Sequence, residues 1–390
     1  MSMMDSMEHY DRPPSELSLP NLRPATQAYE QSEPPPTYYD RPMIKPSLWR
    51  WYIPGYFWLG GIAGGAAVIG AAARYLGGSS GRVTARHARY LSLGLSVVAP
   101  AMLIADLHRP ERFYRMFRVF KVSSPLSVGT WILTGFGAVS GALAVRQAAE
   151  DGVIIPRESG LGRLARTAIP EGPLTVAHGA LGMGLGGYTG TLLAATAVPL
   201  WAAGGVLLGP LFASTALASG AGALGLLSLI AGKRDDDSEQ ARQSVALVEA
   251  ASSISQLALV AARDALVTSR INQPLRRGRW GALYRGGAVG GGMLAPLALR
   301  LAGRFAGPRA ARTLSGVSAT LSLVGALAER VALLEAGKVS ARDPRAYQEF
   351  TAGAPGDARP TPRQQALHAP KTPAYQPHIA ASDTLTAPAQ

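Results

Sequence analysis

Residues 90–131 read YLSLGLSVVAPAMLIADLHRPERFYRMFRVFKVSSPLSVGTW, and this stretch decides the fold. An apolar run from Leu91 to Ala105 leads into a charged turn, and apolar sequence resumes at Pro125. About 20 mostly apolar residues cross a bilayer as one helix. Two such runs joined by a short polar turn therefore predict a membrane hairpin.

The turn of this hairpin predicts an amphipathic helix that lies in the membrane interface. Its apolar side chains recur at helical spacing, and its cations occupy the other side. The apolar set is Phe113, Met116, Phe117 and Phe120, and the cationic set is Arg112, Arg115, Arg118 and Lys121.

Asp106 and Arg109 precede this helix, where water gives way to hydrocarbon. Ionisable groups at that depth find partners in each other, in backbone groups or in something bound there. The structural alternative is that they cap and pin a connector, as many ionic networks do.

The apolar pattern recurs along the middle of the chain. Of its 390 residues, 47% are hydrophobic and only 16% are charged, and the apolar residues gather in long uncharged runs. This predicts an all-α integral membrane protein. We predict eight spans, near residues 51–73, 90–107, 125–145, two within 172–232 divided near Pro199, 244–262, 280–299 and 313–334.

These spans define an eight-helix transmembrane domain over residues 47–337, which we expect to form two four-helix bundles. The flanking segments 1–46 and 338–390 lack apolar periodicity and are rich in proline and polar residues, so we predict disordered tails. The Lys and Arg counts of alternate connectors nearly balance. The positive-inside rule therefore barely favours a cytoplasmic N-terminus.

The composition excludes several classes of site. The chain has no cysteine, so it holds no disulfide, no thiolate nucleophile and no cysteine-ligated iron–sulfur cluster or zinc. Its six histidines do not form the pair that a bis-histidine haem needs, and we predict no metal, no haem and no catalytic residue in this chain. The net charge of +13 is explained by arginine-rich connectors rather than by nucleic-acid binding.

What remains is a set of polar groups at membrane depth. A quinone site needs an apolar slot, one or two hydrogen-bond donors and a proton route to water. Tyr188 can donate a hydrogen bond, and Asp106 or His178 can pass protons. The structural alternatives are an interhelical hydrogen bond for Tyr188 and an interface anchor for His178. The polar face of span six, with Glu249 and Gln256, should look into the bundle.

Five short motifs, in order along the chain, resemble those of the NrfD-like, polysulfide reductase membrane subunits. They are Leu59–Gly65, Asp106–Phe113, Ser124–Ser127 with Trp131, Tyr188–Leu193, and Pro199–Trp201. The resemblance is strong from Trp51 to Gly232, and beyond Gly232 it rests on hydropathy and span count.

The resemblance implies a multi-pass protein of the bacterial plasma membrane that belongs to a respiratory oxidoreductase complex. Such a subunit exchanges electrons between a quinone, menaquinone or ubiquinone, and a ferredoxin-like iron–sulfur subunit. That partner in turn serves a molybdopterin or multihaem catalytic subunit. On this basis the chain would hold the quinone, and its partners would hold the metals.

The resemblance also suggests roles for single residues. Tyr188 falls in a Tyr-Thr-Gly motif and is expected to be the quinone-facing donor. Asp106 and Arg109 are expected to shape the pocket mouth or the partner-docking surface, to which Arg112, Arg115 and Arg118 would contribute. His108 stands where a glycine is common in the family.

Two other classes of function stay open. A secondary transporter or ion pathway would use Glu249, Asp106 and Glu329 as charges inside the membrane. A passive anchor would keep the fold and bind no quinone. Substrate flux through the isolated chain would favour the transporter, and a bound-quinone assay would separate the anchor from a quinone subunit.

Overall fold

The structure is a computed structural model that describes residues 41–232 and 235–352, and every regular element in these ranges is helical. Eight long helical segments organise the described chain. We label them α1 (Tyr52–Leu76), α2 (Gly78–Ala105), α3 (Pro125–Asp151), α4 (Glu171–Ala194), α5 (Leu208–Ile230), α6 (Asp236–Leu266), α7 (Gly278–Ala282, Leu283–Leu294 and Ala295–Gly303 in succession) and α8 (Pro308–Arg342).

Shorter elements connect or extend the long segments. They are the 3-10 helices Pro110–Phe117 and Gly205–Leu207 and the short α-helices Gly160–Ala168, Pro199–Gly204, Gln273–Arg276 and Pro344–Ala352. The middle part of α7, Leu283–Leu294, is π-helical.

Six helices of the described chain are long and apolar enough to cross a membrane. They are α1, α2, α3, α6, α8 and the stretch Pro199–Ile230 that contains α5. This confirms the prediction of an all-helical, multi-pass membrane protein. The helices α4 and α7 pack among these six without belonging to that set.

Helix α1 lies at the centre of the packing and contacts α2, α4, α5 and α8. Glycine makes this possible: Gly64 lies against Gly182 of α4, and Gly65 lies against Ala216 and Gly220 of α5. A Cβ on Gly65 would overlap the carbonyl group of Ala216. Small residues at these crossings let the helix backbones touch.

Helix α2 begins earlier than the sequence predicts, at Gly78 rather than near Tyr90. The arginines expected in a connector therefore lie on its first turns. Arg86 forms an ion pair with Asp151 at 2.9 Å, and Arg89 pairs with Glu171 at 2.6 Å. Because neighbouring helices supply these carboxylates, the helix can carry the cations on an inward face.

The helical body also ends later than residue 337. Helix α8 continues to Arg342, and Pro344–Ala352 adds a further helix, so residues 338–352 are not a disordered tail. The indole of Trp201 holds this end, because its Nε1 donates to the Leu333 carbonyl at 2.7 Å and its ring fills the space beside Gly337. The rest of the predicted tails, 1–40 and 353–390, lies outside the described residues.

Replacing Gly65 with alanine tests whether the α1–α5 crossing limits stability. We expect Gly65→Ala to destabilise the fold by about 1–3 kcal/mol, the usual range for overpacking a close contact. Gly137→Ala is the matched control, because a Cβ at Gly137 meets nothing within 4 Å. Thermal unfolding of both variants in detergent would contradict the packing argument if their midpoints were the same.

Candidate functional site

The turn between α2 and α3 is built around aromatic rings. Phe117 and Phe120 both contact Trp131 of α3 edge-on, with ring centroids 6.3 and 6.1 Å apart. Phe113 in turn contacts Phe117, with centroids 6.3 Å apart. The turn is thus a small aromatic cluster fixed to the start of α3.

The predicted amphipathic α-helix is wrong in its type and length. Pro110–Phe117 is a 3-10 helix of eight residues, and the chain leaves it before Phe120. We attribute this to the two contacts with Trp131, which hold Phe117 and Phe120 on one ring. Arg112, Arg115 and Arg118 are exposed, as an interface or docking surface requires.

Asp106 finds its partner in Arg50, which the sequence did not suggest. Its carboxylate accepts the Arg50 backbone N–H at 3.2 Å and lies 3.5 Å from Arg50 Nε, and Arg50 also donates to the Ala105 carbonyl at 3.2 Å. The start of α1 is thereby tied to the end of α2. This matches the structural alternative for Asp106, whereas Arg109 is exposed and is not its partner.

Tyr188 lies on α4 with its ring against Gly129, near the start of α3. A Cβ on Gly129 would overlap the phenol ring, so the glycine makes the space that the ring occupies. Tyr188 is half-buried, and among the described residues its hydroxyl has no hydrogen-bond partner and is not sealed from the surface. The buried Tyr56 of α1 is close enough to interact electrostatically with Tyr188. The expected alternative, an interhelical hydrogen bond, is not found in the described part of the chain.

His178 lies on the same helix α4, ten residues before Tyr188 in the sequence. At 1.5 Å per residue the two side chains start about 15 Å apart along the helix. The imidazole is buried, stacks on Phe136 with centroids 5.1 Å apart, and shares a hydrogen bond of 3.0 Å with Ser140. It is a packed group between α3 and α4 rather than a surface anchor.

An ionic network that the sequence did not predict lies at the start of α4, around Glu171. Arg89, only 4% exposed, donates to Gln147 at 2.7 Å and to Glu171 at 2.6 Å, and Arg74 donates to Glu171 at 2.7 Å. The signal was present as arginines spaced three or four apart from Arg82 onward. Their carboxylate partners lie more than 60 residues away in sequence, so the pairing could not be read from the pattern.

Glu171 is the first residue of α4 and precedes the uncharged run that begins at Gly172. The hydrogen bond from Arg74, assisted by Arg89, lowers the pKa of the Glu171 carboxyl to about 2, against the opposing effect of burial. Glu171 is therefore ionised at neutral pH and joins α1, α2 and α4.

The polar face of α6 looks into the bundle, as predicted. Glu249 is buried, forms an ion pair with Arg300 of α7 and accepts hydrogen bonds from Ser318 at 3.2 Å and Ser322 at 2.6 Å. Gln256 is buried on the same helix. In the described residues no group of three or more histidine or carboxylate side chains is arranged to hold a metal ion.

The fold and these sites define a multi-pass helical membrane protein with polar groups enclosed between its helices. The family described as Polysulphide reductase, NrfD matches residues 41–341, which is most of the chain, so the chain belongs to this family. Membership indicates a membrane subunit of a respiratory oxidoreductase and confirms the resemblance seen in the sequence. No curated protein matches the chain.

Replacing Glu171 tests the ionic network through its pH dependence. The folded-state pKa lies below the ordinary value, so Glu171 stabilises the fold fully above about pH 4.5, and this contribution is lost as pH falls toward about 2. We expect Glu171→Gln to lower the unfolding temperature at pH 7 and to differ less from the wild type below pH 4.5.

The control is Glu158→Gln, at an exposed position outside the network. A difference between Glu171→Gln and the wild type that stays constant from pH 7 to pH 3 would exclude the network as its source.

Proposed function

We propose that the chain is the quinone-binding subunit of a respiratory oxidoreductase and that the hydroxyl of Tyr188 donates a hydrogen bond to a quinone carbonyl. The observation that carries this is the unpaired phenol, half-buried at the α3–α4 contact in a helical membrane protein of the NrfD family. A membrane-buried tyrosine normally finds a partner for its hydroxyl. A ligand carbonyl would supply that partner.

The surroundings suit a flat ring. The Tyr188 ring lies in the space left by Gly129, and Ile132 beside Gly184 and Leu181 beside Gly135 make the rest of this α3–α4 contact apolar. Asp106, held by Arg50, fixes the neighbouring end of α2, and we propose that Asp106 and Arg109 border the mouth of the site. His178 is too far from Tyr188 and too well packed to be included.

A bound quinol supplies two electrons and two protons when it is oxidised. The residues of this chain would orient the carbonyl, exclude water and lead protons to the surface. The electrons would pass to a ferredoxin-like iron–sulfur partner and from it to a molybdopterin or multihaem subunit. The absence of cysteine from the whole chain agrees with this division, because the chain has no thiolate to ligate a cluster.

An apolar cavity of about 330 Å³ is a second place where a quinone ring would fit. It lies between α1, α2, α5 and α6 and includes Ala72, Thr84 and Ser244 in its lining. Its hydroxyls are less suited as donors, because Thr84 already donates to the Ser80 carbonyl. The binding experiment must therefore distinguish this cavity from the site at Tyr188.

Tyr188→Phe removes the proposed donor and keeps the ring. A net hydrogen bond contributes about 0.5–1.5 kcal/mol, so we expect a quinone analogue to bind about two- to tenfold more weakly. Fluorescence titration of the purified chain in nanodiscs measures this. Tyr114→Phe, at an exposed tyrosine of the neighbouring turn, is the control and should bind like the wild type.

The rival cavity is tested in the same titration with Ala72→Phe, which fills it from an exposed position. Loss of binding in Ala72→Phe with unchanged binding in Tyr188→Phe would move the site away from Tyr188. A wild-type chain that binds no analogue would favour the passive anchor.

We also propose that the exposed arginines of the α2–α3 turn dock the iron–sulfur partner. Arg112, Arg115 and Arg118 form a basic surface at the end of the helical body nearest to Tyr188. Among the residues that the structure describes, Arg112 has only the adjacent Glu111 as an ion-pair partner, at 3.8 Å. Docking there would bring an acidic redox partner close to the proposed quinone site.

Reversing all three charges tests this surface. We expect the triple variant with glutamate at positions 112, 115 and 118 to lose most of the co-purifying partner at moderate salt while the chain stays folded, because like charges then face each other. The matched control carries Arg163→Glu, Arg304→Glu and Arg309→Glu, three exposed arginines at the opposite end of the helices. Equal retention of the partner by both variants would exclude the turn as its docking surface.

Finally, we propose that all eight long segments cross the bacterial plasma membrane as two four-helix bundles. The neighbour relations support this, because α1 to α4 contact one another in a closed ring and α5 to α8 do the same. With 24 residues, α4 is long enough to span. The transporter alternative is less well supported, because Glu249 is fully engaged by Arg300, Ser318 and Ser322.

A further inference from the structure

A second group of buried charges lies among α5 to α8, and its Arg330 also faces Gly61 of α1. Glu329 and Arg330 of α8, Arg263 of α6 and Tyr284 of α7 are each at most 2% exposed. The quinone proposal uses none of them. Charged groups buried at this depth are costly, so their environment calls for a physical explanation.

Some polar atoms of this group have hydrogen-bond partners. One oxygen of Glu329 accepts hydrogen bonds from Arg330 at 2.6 Å and from Thr215 at 2.7 Å. Arg330 also donates to the Phe212 carbonyl at 3.2 Å and lies over the Phe212 ring, 3.8 Å from its centroid. Arg263 donates to Asp264 at 3.2 Å and to Asn272 at 3.1 Å.

The other polar atoms of the same side chains are buried without a hydrogen-bond partner among the described residues. They are Glu329 Oε1, the Tyr284 hydroxyl, Arg263 Nε and Nη2, and Arg330 Nε. Gly287, three residues after Tyr284 on α7, lies against Ala328, which precedes Glu329 on α8, so Tyr284 and Glu329 are at neighbouring levels of the two helices. The charges of Arg263, Glu329 and Asp264 also act on the Tyr284 phenol. Unpaired buried polar groups are rare in folded proteins, and ordered water is the usual partner for such a group.

An open cavity of about 660 Å³ adjoins this region, with Tyr284, Asp264, Arg276 and Gly286 in its lining. It opens where α6 ends and α7 begins. Tyr284 belongs both to the cavity wall and to the buried group, whereas Glu329 does not line the cavity. It lies on the π-helical part of α7, and π-helical turns are frequent at functional sites.

A close contact between α7 and α8 lies on the other side of Glu329, toward Glu249. Glu249 and its partner Ser322 lie beyond Gly325, and Gly325 touches Gly292 of α7 so closely that a Cβ on either would overlap the other backbone. This backbone contact lies between Ser322 and Glu329 along α8. On this basis we expect water to reach Glu329 from one end of the helices only.

The chemistry of the group selects its occupant. A metal cation needs several oxygen ligands, whereas the unpaired atoms here are mostly donors on two arginines, which repel cations. Water matches both the unpaired donors and the free carboxylate oxygen. We propose that water fills the space behind Tyr284 and that Glu329 exchanges a proton with the cavity through the Tyr284 hydroxyl, while Arg263, Arg330, Asp264 and Thr215 face the exchanging groups.

The first experiment tests whether the cavity is hydrated, and it uses the chain's lack of cysteine. Gly286→Cys places a thiol in the cavity wall, where a Cβ meets nothing within 4 Å. Val324→Cys, exposed on α8 and not part of this cavity wall, is the control. In vesicles, a charged, membrane-impermeant thiosulfonate should label Gly286→Cys at least about tenfold faster, because only a hydrated thiol ionises.

Labelling should also occur only when the reagent is added on the face that carries the α6–α7 connection. Equal, slow labelling of both variants would show a dry cavity and would overturn the proposal. Labelling of Gly286→Cys from both faces would show that the Gly292–Gly325 contact is not a seal, and would overturn the one-sided access.

The second experiment detects the exchangeable proton in the wild-type chain with dicyclohexylcarbodiimide. The Glu329 carboxyl proton moves to a nitrogen of the reagent and the carboxylate oxygen adds to its central carbon. Acyl migration to nitrogen then leaves a stable acylurea, so the whole reagent is added. We expect this adduct on Glu329 by peptide mass spectrometry, no adduct on Glu249, and slower labelling in Tyr284→Phe.

The detergent-unfolded chain, in which both glutamates should react, shows that the peptides can be detected. No adduct on Glu329 in the folded chain, or an adduct on Glu249 alone, would overturn the proposal. Both experiments are independent of quinone binding. Failure of the Tyr188 proposal therefore leaves this inference in place, and the reverse also holds.

Discussion

The close approach of α1 to α4 and α5 is the contact on which the rest of the structure depends. Lipid tails are as apolar as leucine, so helices in a membrane associate through close packing and hydrogen bonds rather than through hydrophobic burial. Gly64 and Gly65 allow α1 to touch both neighbours at one level, and this places α1 between the two halves of the described body. A side chain at either position would push the halves apart.

In this packing, the ion pairs that join neighbouring helices lie at the two ends of α1 to α4. Asp106 and Arg50 tie the helix ends beside the α2–α3 turn, whereas Glu171, Arg74 and Arg89 tie the opposite end of the same helices. Tyr188 lies nearer the turn, against Gly129, and among the described residues its hydroxyl has no hydrogen-bond partner. The ion pairs at both ends join neighbouring helices, which keeps the position of this phenol defined.

Helices α1 to α4 and helices α5 to α8 differ in how far their buried polar groups are hydrogen-bonded. In α1 to α4 the buried Arg89 is paired with Glu171, and the half-buried Tyr188 hydroxyl has no hydrogen-bond partner among the described residues. In α5 to α8 two arginines and a glutamate are only partly satisfied beside an open cavity, which suits water and protons. Membership of the NrfD family covers both halves, since the match runs from residue 41 to 341.

The sequence by itself determined the helical membrane class, the inward polar face of α6 and the family, because apolar run length and short motifs are local properties. It misjudged the length of the turn helix, where Trp131 of the next helix holds Phe117 and Phe120. It also misjudged the start of α2 and the end of α8, where Glu171 and Trp201 act from distant positions. Only the tertiary structure decided that Asp106 pairs with Arg50, that Tyr188 rests on Gly129, and that Tyr284 and Glu329 belong to one buried polar group. Each of these pairs joins residues tens of positions apart, and no pattern along one helix records which neighbour its buried face will meet.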